Sequence, residues 1–278
     1  MAASIRRAVL KACSVPANVS ILCREHQLTC SVRSLSASQR WMSRVSPICH
    51  QQDSMPEPTP LPVADTREAT LNATLQHEDY FGVKDLANLR DLFNARVHLG
   101  HNSGLRHPSM SPYIFGSRQG CDMIDLDQTL PLLCQALNVT GHVVYRGGML
   151  LFLSRQTQVL PWVERLAREV GEYSHCRPWR TGTFTNASSL FGTLPIYPEL
   201  CIFLGTQDTV FETHRGVIEA SKLLIPTVGV VDTNCDAEPI TYPVPGNDDS
   251  PAALHFYMGL FRSVVLRAKA RRKADGVE

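Results

Sequence analysis

Histidines and aspartates in two stretches rich in Gly, Pro and Asn are the residues of this chain whose types could do chemistry. The first stretch carries His98, His101 and His107, and the second carries Asp232, Asp236, Asp248 and Asp249. Imidazole and carboxylate groups ligate metal ions and act as general bases. However, histidine spacings of three and six residues match no common metal motif, and turns or helix capping account for the aspartates. We therefore expect no metal site and no cofactor.

The elements that must position these stretches alternate between short apolar runs and amphipathic helices. Apolar runs at 149–153, 200–204 and 227–231 are typical of strands buried on both faces, and Met123-Ile124 is a shorter candidate. The periodicity predicts helices over Lys84–Val97, around Leu130–Leu137 with Pro131 in the first turn, over Val159–Val170, through Val217–Leu224 and over Ala252–Ala270. This alternation predicts an α/β fold with a doubly wound, mostly parallel sheet, Rossmann-like or flavodoxin-like, flanked by helices.

A parallel sheet of this kind leaves an enzyme that binds a nucleotide or another substrate as an alternative. Ligands of such sheets bind beyond the carboxyl ends of the strands, where Asp232–Asp236 follows a predicted strand. The run at 149–153, however, leads into Ser154–Thr157, which contains no glycine. The sequence also has no GxxxxGK[ST] and no GxSxG motif. The scaffold therefore lacks the residues that usually cradle phosphates or present a nucleophile.

Charge and composition predict the domain organisation. Residues 1–60 hold seven Lys and Arg side chains against three acidic ones, which leaves 20 basic and 23 acidic side chains in the remainder. A basic, Ser-rich, acid-poor start is typical of a mitochondrial transit peptide. We expect a transit peptide or disordered segment at 1–52, a Pro-rich linker at 53–80, one α/β domain at 81–270 and a basic, flexible tail at 271–278. No apolar run is long enough to predict a membrane span.

Five short motifs follow one another on the predicted α/β scaffold: Val97–His101 (VHLGH), Met110–Gly116 (MSPYIFG), Ile124–Leu126 (IDL), Val231–Asp236 (VDTNCD) and Tyr242–Asp249 (YPVPGNDD). In this order they resemble the ribosomal protein S2 family of the small subunit in its mitochondrial form. The resemblance implies a structural constituent of the small ribosomal subunit in the mitochondrial matrix, needed for subunit assembly and mitochondrial translation. It implies ribosomal RNA and neighbouring ribosomal proteins as partners, no small-molecule substrate and no catalysis.

The resemblance also implies a surface that contacts RNA or protein. We expect candidate contacts to phosphates or unstacked bases from His98, His101, Arg106, Arg118, Arg180 and Asn186. For the arginines, a solvated or helix-capping role remains an equal alternative. Tyr113 and Phe115 either stack on bases or fill the core, and we favour the core.

One departure from the family pattern concerns length. Bacterial members insert a long helical hairpin after a segment resembling Trp179–Asn186, whereas here only Ala187–Pro198 leads to the next predicted strand. Twelve residues cannot form two helices and their turn. The contacts of the hairpin must therefore be absent here or be made by other partners.

Overall fold

Residues 66–209 and 212–276 are described by the structure, a computed structural model. The predicted transit peptide at 1–52 and the first part of the predicted linker lie outside these residues. The strands are β1 (Leu99–Asn102), β2 (Ile114–Arg118), β3 (Cys121–Ile124), β4 (Leu150–Leu153), β5 (Tyr173–His175), β6 (Leu200–Phe203), β7 (Gln207–Thr209), β8 (Glu212–Thr213), β9 (Thr227–Val231) and β10 (Tyr242–Pro245). The helices are α1 (Thr66–Leu75), α2 (Leu89–Asn94), α3 (Leu126–Arg146), α4 (Leu160–Val170), α5 (Ala187–Phe191), α6 (Arg215–Lys222) and α7 (Pro251–Ala274).

Five parallel strands form the central sheet, in the order β10-β9-β6-β4-β5. The predicted doubly wound, mostly parallel sheet is confirmed. All residues of β6 and β9 are buried, as their continuous apolar sequences indicate. Two strands were not predicted. One of them, β10, contains Pro243 and Pro245, and it lies at an edge, where a missing backbone N–H disturbs no neighbouring strand.

Helices cover both faces of this sheet and divide the core in two. On one face α3, α4 and α7 pack their apolar sides over β4, β6 and β9, with Tyr145, Tyr257 and Phe261 fully buried. On the other face α6, a 3-10 helix at Pro108–Tyr113 and the side chains of Trp179 and Phe184 form a smaller core. Both faces of the sheet are therefore shielded, and its polar ends remain free to present loops.

A small antiparallel sheet, in the order β1-β3-β2, gives the first loop stretch its shape. Met123 opposes both Leu99 and Gly116. Ile124 is buried as predicted, but its strand belongs to this hairpin-like sheet and not to the parallel one. The stretch that read as an irregular loop is therefore a folded subdomain of short strands.

Two of the predicted helices are shorter than expected, and one proline is placed differently. The helix predicted over Lys84–Val97 forms only at Leu89–Asn94, and Arg96 adopts a left-handed conformation with φ 61° just after it. Leu224 also has a positive φ of 58° and is exposed beyond the end of α6, so it does not extend the apolar face of that helix. Pro131 lies inside α3, beyond the first turn, which contradicts its predicted position.

The segment between α1 and α2 packs against the C-terminal end of α7. The hydroxyls of Tyr80 and Tyr145 both donate to Oδ2 of Asp275, at 2.8 and 2.7 Å, and the guanidinium of Arg271 lies 4.7 Å from the Tyr80 ring centre. The predicted linker thus contains the helix α1 and contributes Tyr80 to this contact, while residues 271–274 of the predicted tail are helical. Within the part of the chain that the structure describes, no helix combines the length and apolar character that a membrane crossing requires.

Two helical glycines provide a matched stability test of this packing. A Cβ on Gly141 in α3 would lie 2.7 Å from Cδ2 of the buried Phe81, whereas nothing lies within 4 Å of one on Gly259 in α7. We expect Gly259→Ala to raise the free energy of unfolding by roughly 0.5–1 kcal/mol through helix propensity. Gly141→Ala should lower it, because the clash outweighs that gain. Chemical denaturation of the purified protein measures both, and equal stabilisation by the two variants would contradict the packing of Phe81 on α3.

Candidate functional site

The two polar stretches meet at the carboxyl edge of the parallel sheet. The first comprises residues 98–129 and the second comprises residues 227–249, and we call their joint surface the two-loop face. The backbone N–H of Asn247, which follows β10, donates to the carbonyl of Val97 at 3.1 Å, and its side-chain Nδ2 donates to the carbonyl of Arg96 at 3.2 Å. Because β9 and β10 are parallel, the chain leaves both strands at the same edge and meets the first stretch there.

Thr233 holds the two stretches together through both its side chain and its backbone. Its Oγ1 accepts a hydrogen bond from the N–H of His101 at 2.9 Å, and its carbonyl accepts one from the N–H of His107 at 2.8 Å. The approach is so close that a Cβ on Gly100 would lie 2.5 Å from Cγ2 of Thr233. The Gly between Leu99 and His101 is therefore required by contact with the second stretch.

His101 lies between two carboxylates of the second stretch. Its Nδ1 is 3.0 Å from Oδ2 of Asp232, and its Nε2 is 3.0 Å from Oδ2 of Asp249. Hydrogen bonding to Asp232 and then to Asp249 raises the pKa of His101 to about 10, so the imidazole carries a positive charge at neutral pH. The same contact lowers the pKa of Asp249, whereas burial beside Asp232 and Asp249 raises the pKa of Asp248. The imidazolium thus neutralises a cluster of acids that would otherwise repel one another.

Among the described residues, His101, Asp232 and Asp249 form a set that could hold a metal ion, since their donor atoms lie within 4.8 Å of one another. Both ring nitrogens of His101 already contact a carboxylate, so the three side chains satisfy one another as an ion cluster without a metal ion.

Arg106 is a partner of the protein itself. Its Nε and Nη2 contact the two carboxylate oxygens of Asp122 at 2.8 and 2.5 Å, and the Asp122 side chain is fully buried. A planar guanidinium matches a carboxylate in this two-point geometry. The side chain predicted to contact phosphate is therefore needed to compensate a buried charge within the small antiparallel sheet.

His98 is likewise engaged within the fold. Its ring stacks on Phe93 with centroids 4.4 Å apart and an angle of 7° between the planes. Partial burial lowers the pKa of His98, so the imidazole is neutral at physiological pH. This stacking occupies one face of the ring that RNA contact would use.

The remaining predicted contacts are exposed. Arg118 ends β2, Arg180 follows the buried Trp179, and Asn186 precedes α5. The side chains of these three residues form no ion pair or hydrogen bond with another described residue. Arg180 and Asn186 belong to a loop held by Glu219, whose carboxylate accepts from the N–H groups of Gly182 and Phe184 at 2.6 and 2.9 Å. The structure thus places His98, His101, Arg106 and Arg118 in the first stretch, and Arg180 and Asn186 in a separate loop.

Phe115 is a candidate that sequence reasoning assigned to the core. Tyr113 packs, partly buried, against the smaller core as expected, but the side chain of Phe115 on β2 is 83% exposed. The preference for the core is therefore wrong for Phe115. Alternation along the strand could have shown that Phe115 points away from Ile114, but only if β2 had been recognised as a strand.

The crevice in which an α/β enzyme would bind its ligand is lined by polar side chains that pair with one another. This groove of about 310 Å³ lies beside His101 and Asp249. Within it Arg155 bonds Asp208 at 3.2 Å, while Gln207 and Asn234 exchange two hydrogen bonds of 3.0 Å. The polar side chains at this edge mainly satisfy one another.

Three basic side chains of α7 also have internal partners. Arg262 pairs with Glu169 at 2.8 Å, Lys269 pairs with Glu172 at 2.6 Å, and Arg267 donates to the carbonyl of Gly82 at 2.8 Å. The excess of acidic over basic residues beyond residue 60 is therefore not offset by a free basic cluster at Arg262–Lys269.

Comparison with known proteins gives a consistent set of relatives. The sequence model of the family described as Ribosomal protein S2 matches residues 92–200 and 197–268. A Bos taurus protein named "Small ribosomal subunit protein uS2m" is 53% identical over 210 residues, which cover 76% of this chain and 72% of that protein. A Caulobacter vibrioides protein named "Small ribosomal subunit protein uS2" is 33% identical over 225 residues, covering 67% of this chain and 84% of its own length. A Rhizobium rhizogenes protein of the same name is 31% identical over 225 residues, covering 67% and 88%.

The alignments also locate a length difference. The Caulobacter alignment spans 225 positions, but 67% of this 278-residue chain is about 186 residues, so about 40 positions of that relative have no counterpart here. The bovine alignment of 210 positions takes in 76% of the chain, about 211 residues, and shows no such deficit. The family match is split into two parts that overlap at residues 197–200, so the match is interrupted near the end of the short connection Ala187–Pro198.

The pH dependence of stability tests the charge on His101. Because the folded pKa of about 10 lies above the ordinary value of 6.5, the stabilising contribution is complete below pH 6.5 and is lost as the pH rises towards 10. We expect wild type to exceed His101→Gln in free energy of unfolding by more than about 1 kcal/mol at pH 6, with the difference shrinking as the pH rises. Urea denaturation across this range measures it, with Asp249→Asn as a control that removes one of the two carboxylates. A difference that does not change with pH would contradict the assignment.

Charge reversal at two arginines of the first stretch separates structural from exposed roles. Arg106→Glu should lower the thermal midpoint by roughly 5–10 °C, because Asp122 would be left buried beside a second carboxylate. Arg118→Glu should leave the midpoint within about 2 °C, as is usual for exposed positions. Thermal melts followed by circular dichroism compare the two. Equal midpoints would show that the Arg106–Asp122 pair does not support the fold.

Proposed function

The chain belongs to the ribosomal protein S2 family, and from this premise we propose that it joins ribosomal RNA to neighbouring proteins in the mitochondrial small subunit. As a member of this family it is a structural ribosomal protein of the small subunit and not an enzyme. Its likeness to the bovine uS2m protein assigns it to mitochondria. We further propose that subunit assembly and mitochondrial translation require it, and that residues 1–52, which lie outside the described residues, act as its transit peptide.

The observation that carries this proposal is the internally bonded state of the two-loop face. Thr233, His101 and Asp232 hold the two stretches in one arrangement through hydrogen bonds and ion pairs. A rigid polar surface can be recognised by shape without losing much conformational freedom on binding. That property suits docking onto a folded RNA and its proteins, whereas the paired side chains in the adjacent groove do not favour a substrate pocket.

Phe115 and Arg118 are the side chains of β2 that we propose for RNA contact. Phe115 presents an exposed aromatic ring, and Arg118, three residues on, presents an exposed guanidinium. Aromatic rings stack on unpaired bases, while guanidinium groups bind phosphate. We propose Arg180 and Asn186 as a second contact on their own loop. His98, His101 and Arg106 support the surface from within, and their remaining exposed atoms are available for RNA contact.

Sedimentation of mitochondrial lysate tests the assignment to the small subunit. The tagged full-length protein should comigrate with the small subunit in a sucrose gradient, and ultraviolet crosslinking should attach ribosomal RNA to it. Phe115→Ala with Arg118→Glu should weaken docking by about 1–3 kcal/mol from stacking alone, which is roughly 5- to 150-fold. Competition between variant and wild type for incorporation into the subunit measures this loss.

Arg168→Glu on α4 is the matched control, because it reverses an exposed arginine outside the two-loop face. It should incorporate like wild type. A free pool of wild-type protein would contradict the proposed function as a whole. Comigration that survives ribonuclease, without RNA crosslinks, would instead indicate a scaffold that contacts only proteins.

A further inference from the structure

A contiguous apolar segment lies exposed between Arg180 and Glu199. No residue from 181 to 198 is charged, and the exposed side chains there are Leu190, Phe191, Leu194, Ile196 and Tyr197. Leu194 is 93% exposed and Ile196 is 83% exposed. Single exposed apolar residues are ordinary, but five within eight positions form a patch of the kind that marks a contact surface.

This segment borders an apolar groove at the side of the sheet where β5 is the last strand. The groove has a volume of about 410 Å³, and its lining includes Leu151, Tyr173, Trp179, Phe184 and Ile196. We call it the edge groove. Its walls join the exposed segment to the sheet, so the two form one continuous apolar surface.

Two buried polar atoms of the residues that line the edge groove have no partner. Nε1 of Trp179 and Nδ1 of His175 are buried and form no hydrogen bond with any other described residue. The two rings are in contact, with centroids 5.0 Å apart. Buried polar groups are nearly always hydrogen-bonded, so these two atoms show that the wall of the edge groove is not fully satisfied by the described residues. Both atoms are enclosed by the chain itself, so an added segment would pair with the open edge of β5 and not with them.

The strand order leaves β5 open on one side. It pairs with β4, and no second strand pairs with it within the described residues. An unpaired strand edge beside an apolar groove is the arrangement that binds an added strand, with backbone hydrogen bonds along the edge and side chains in the groove.

Comparison of lengths bears on this surface. The Caulobacter relative has about 40 residues without a counterpart here, and the family match is interrupted at residues 197–200, next to the exposed segment. The bovine relative matches this chain without such an excess. The exposed apolar segment therefore lies beside the interruption in the family match.

We propose that the edge groove binds an apolar polypeptide segment of a neighbouring protein in the mitochondrial small subunit, which pairs with β5 and covers Leu194 and Ile196. RNA is disfavoured in the edge groove itself, because none of the residues that line it is a Lys or Arg that could bind a phosphate. This inference rests on the proposed function and adds an apolar contact surface for protein to the two surfaces proposed for RNA.

Photocrosslinking from inside the patch identifies the occupant. The full-length protein carrying benzoylphenylalanine in place of Leu194 is expressed in cells, and intact small subunits are purified on a gradient before irradiation. We expect a crosslink to a ribosomal protein, at a peptide rich in apolar residues. A crosslink to RNA, a crosslink to a charged peptide, or no adduct in subunits that contain the protein would overturn the proposal.

A charge substitution tests the same surface by a second measurement. Leu194→Glu with Ile196→Glu should leave the thermal midpoint of the isolated protein unchanged, because both side chains are exposed, but should lower incorporation roughly tenfold or more in competition with wild type. Leu224→Glu, at another exposed leucine, is the control and should incorporate normally. Failure of wild type to enter the subunit would refute the proposed function, whereas equal incorporation of wild type and the double variant would refute only the edge groove.

Discussion

The convergence of acidic groups at the carboxyl edge of the sheet is the constraint on which the rest of the structure depends. Asp232 follows β9, and Asp248 and Asp249 follow β10, so parallel pairing of these strands brings three carboxyl groups together. Such a cluster is unfavourable unless a cation or a proton neutralises it. The imidazolium of His101 provides the cation, and it comes from the first stretch. Charge compensation and the joining of the two stretches are therefore the same interaction.

Sequence patterns predicted the buried centre of the fold and missed its margins. The runs at 149–153, 200–204 and 227–231 contain strands, because a short, continuous apolar sequence is typical of a strand that is buried on both faces. By contrast, β10 alternates with prolines and resembles a loop, and the three-residue β5 is too short to show a period. The strand pairing of β1, β2 and β3 depends on contacts that no local pattern encodes.

The candidate contacts show a similar division. The sequence predicted the two stretches as the candidate contact surface, because turn-forming and polar residues concentrate there. It could not reveal that Arg106 pairs with Asp122, sixteen positions away, or that Phe115 is exposed, since both facts depend on the register of β2 and β3. Residue type indicated which groups can bind phosphate, but only the fold shows which of them remain unpaired.

The placement of basic residues has a consequence for how the protein recognises RNA. Arg106, Arg262 and Lys269 are engaged by carboxylates of the chain itself. Long-range attraction to phosphate is therefore weak, and recognition would depend on the shape of the two-loop face and on a few exposed groups. Binding of this kind releases few counterions and so depends only shallowly on salt concentration.

The two edge strands of the parallel sheet, β10 and β5, differ in how readily they could pair with a strand of another chain. On β10, Pro243 and Pro245 remove two backbone donors from the outermost strand, and α3 packs closely against it. On β5 there is no proline, and the neighbouring surface is apolar. A copy outside the subunit therefore offers only the β5 side of the sheet to pairing with another chain.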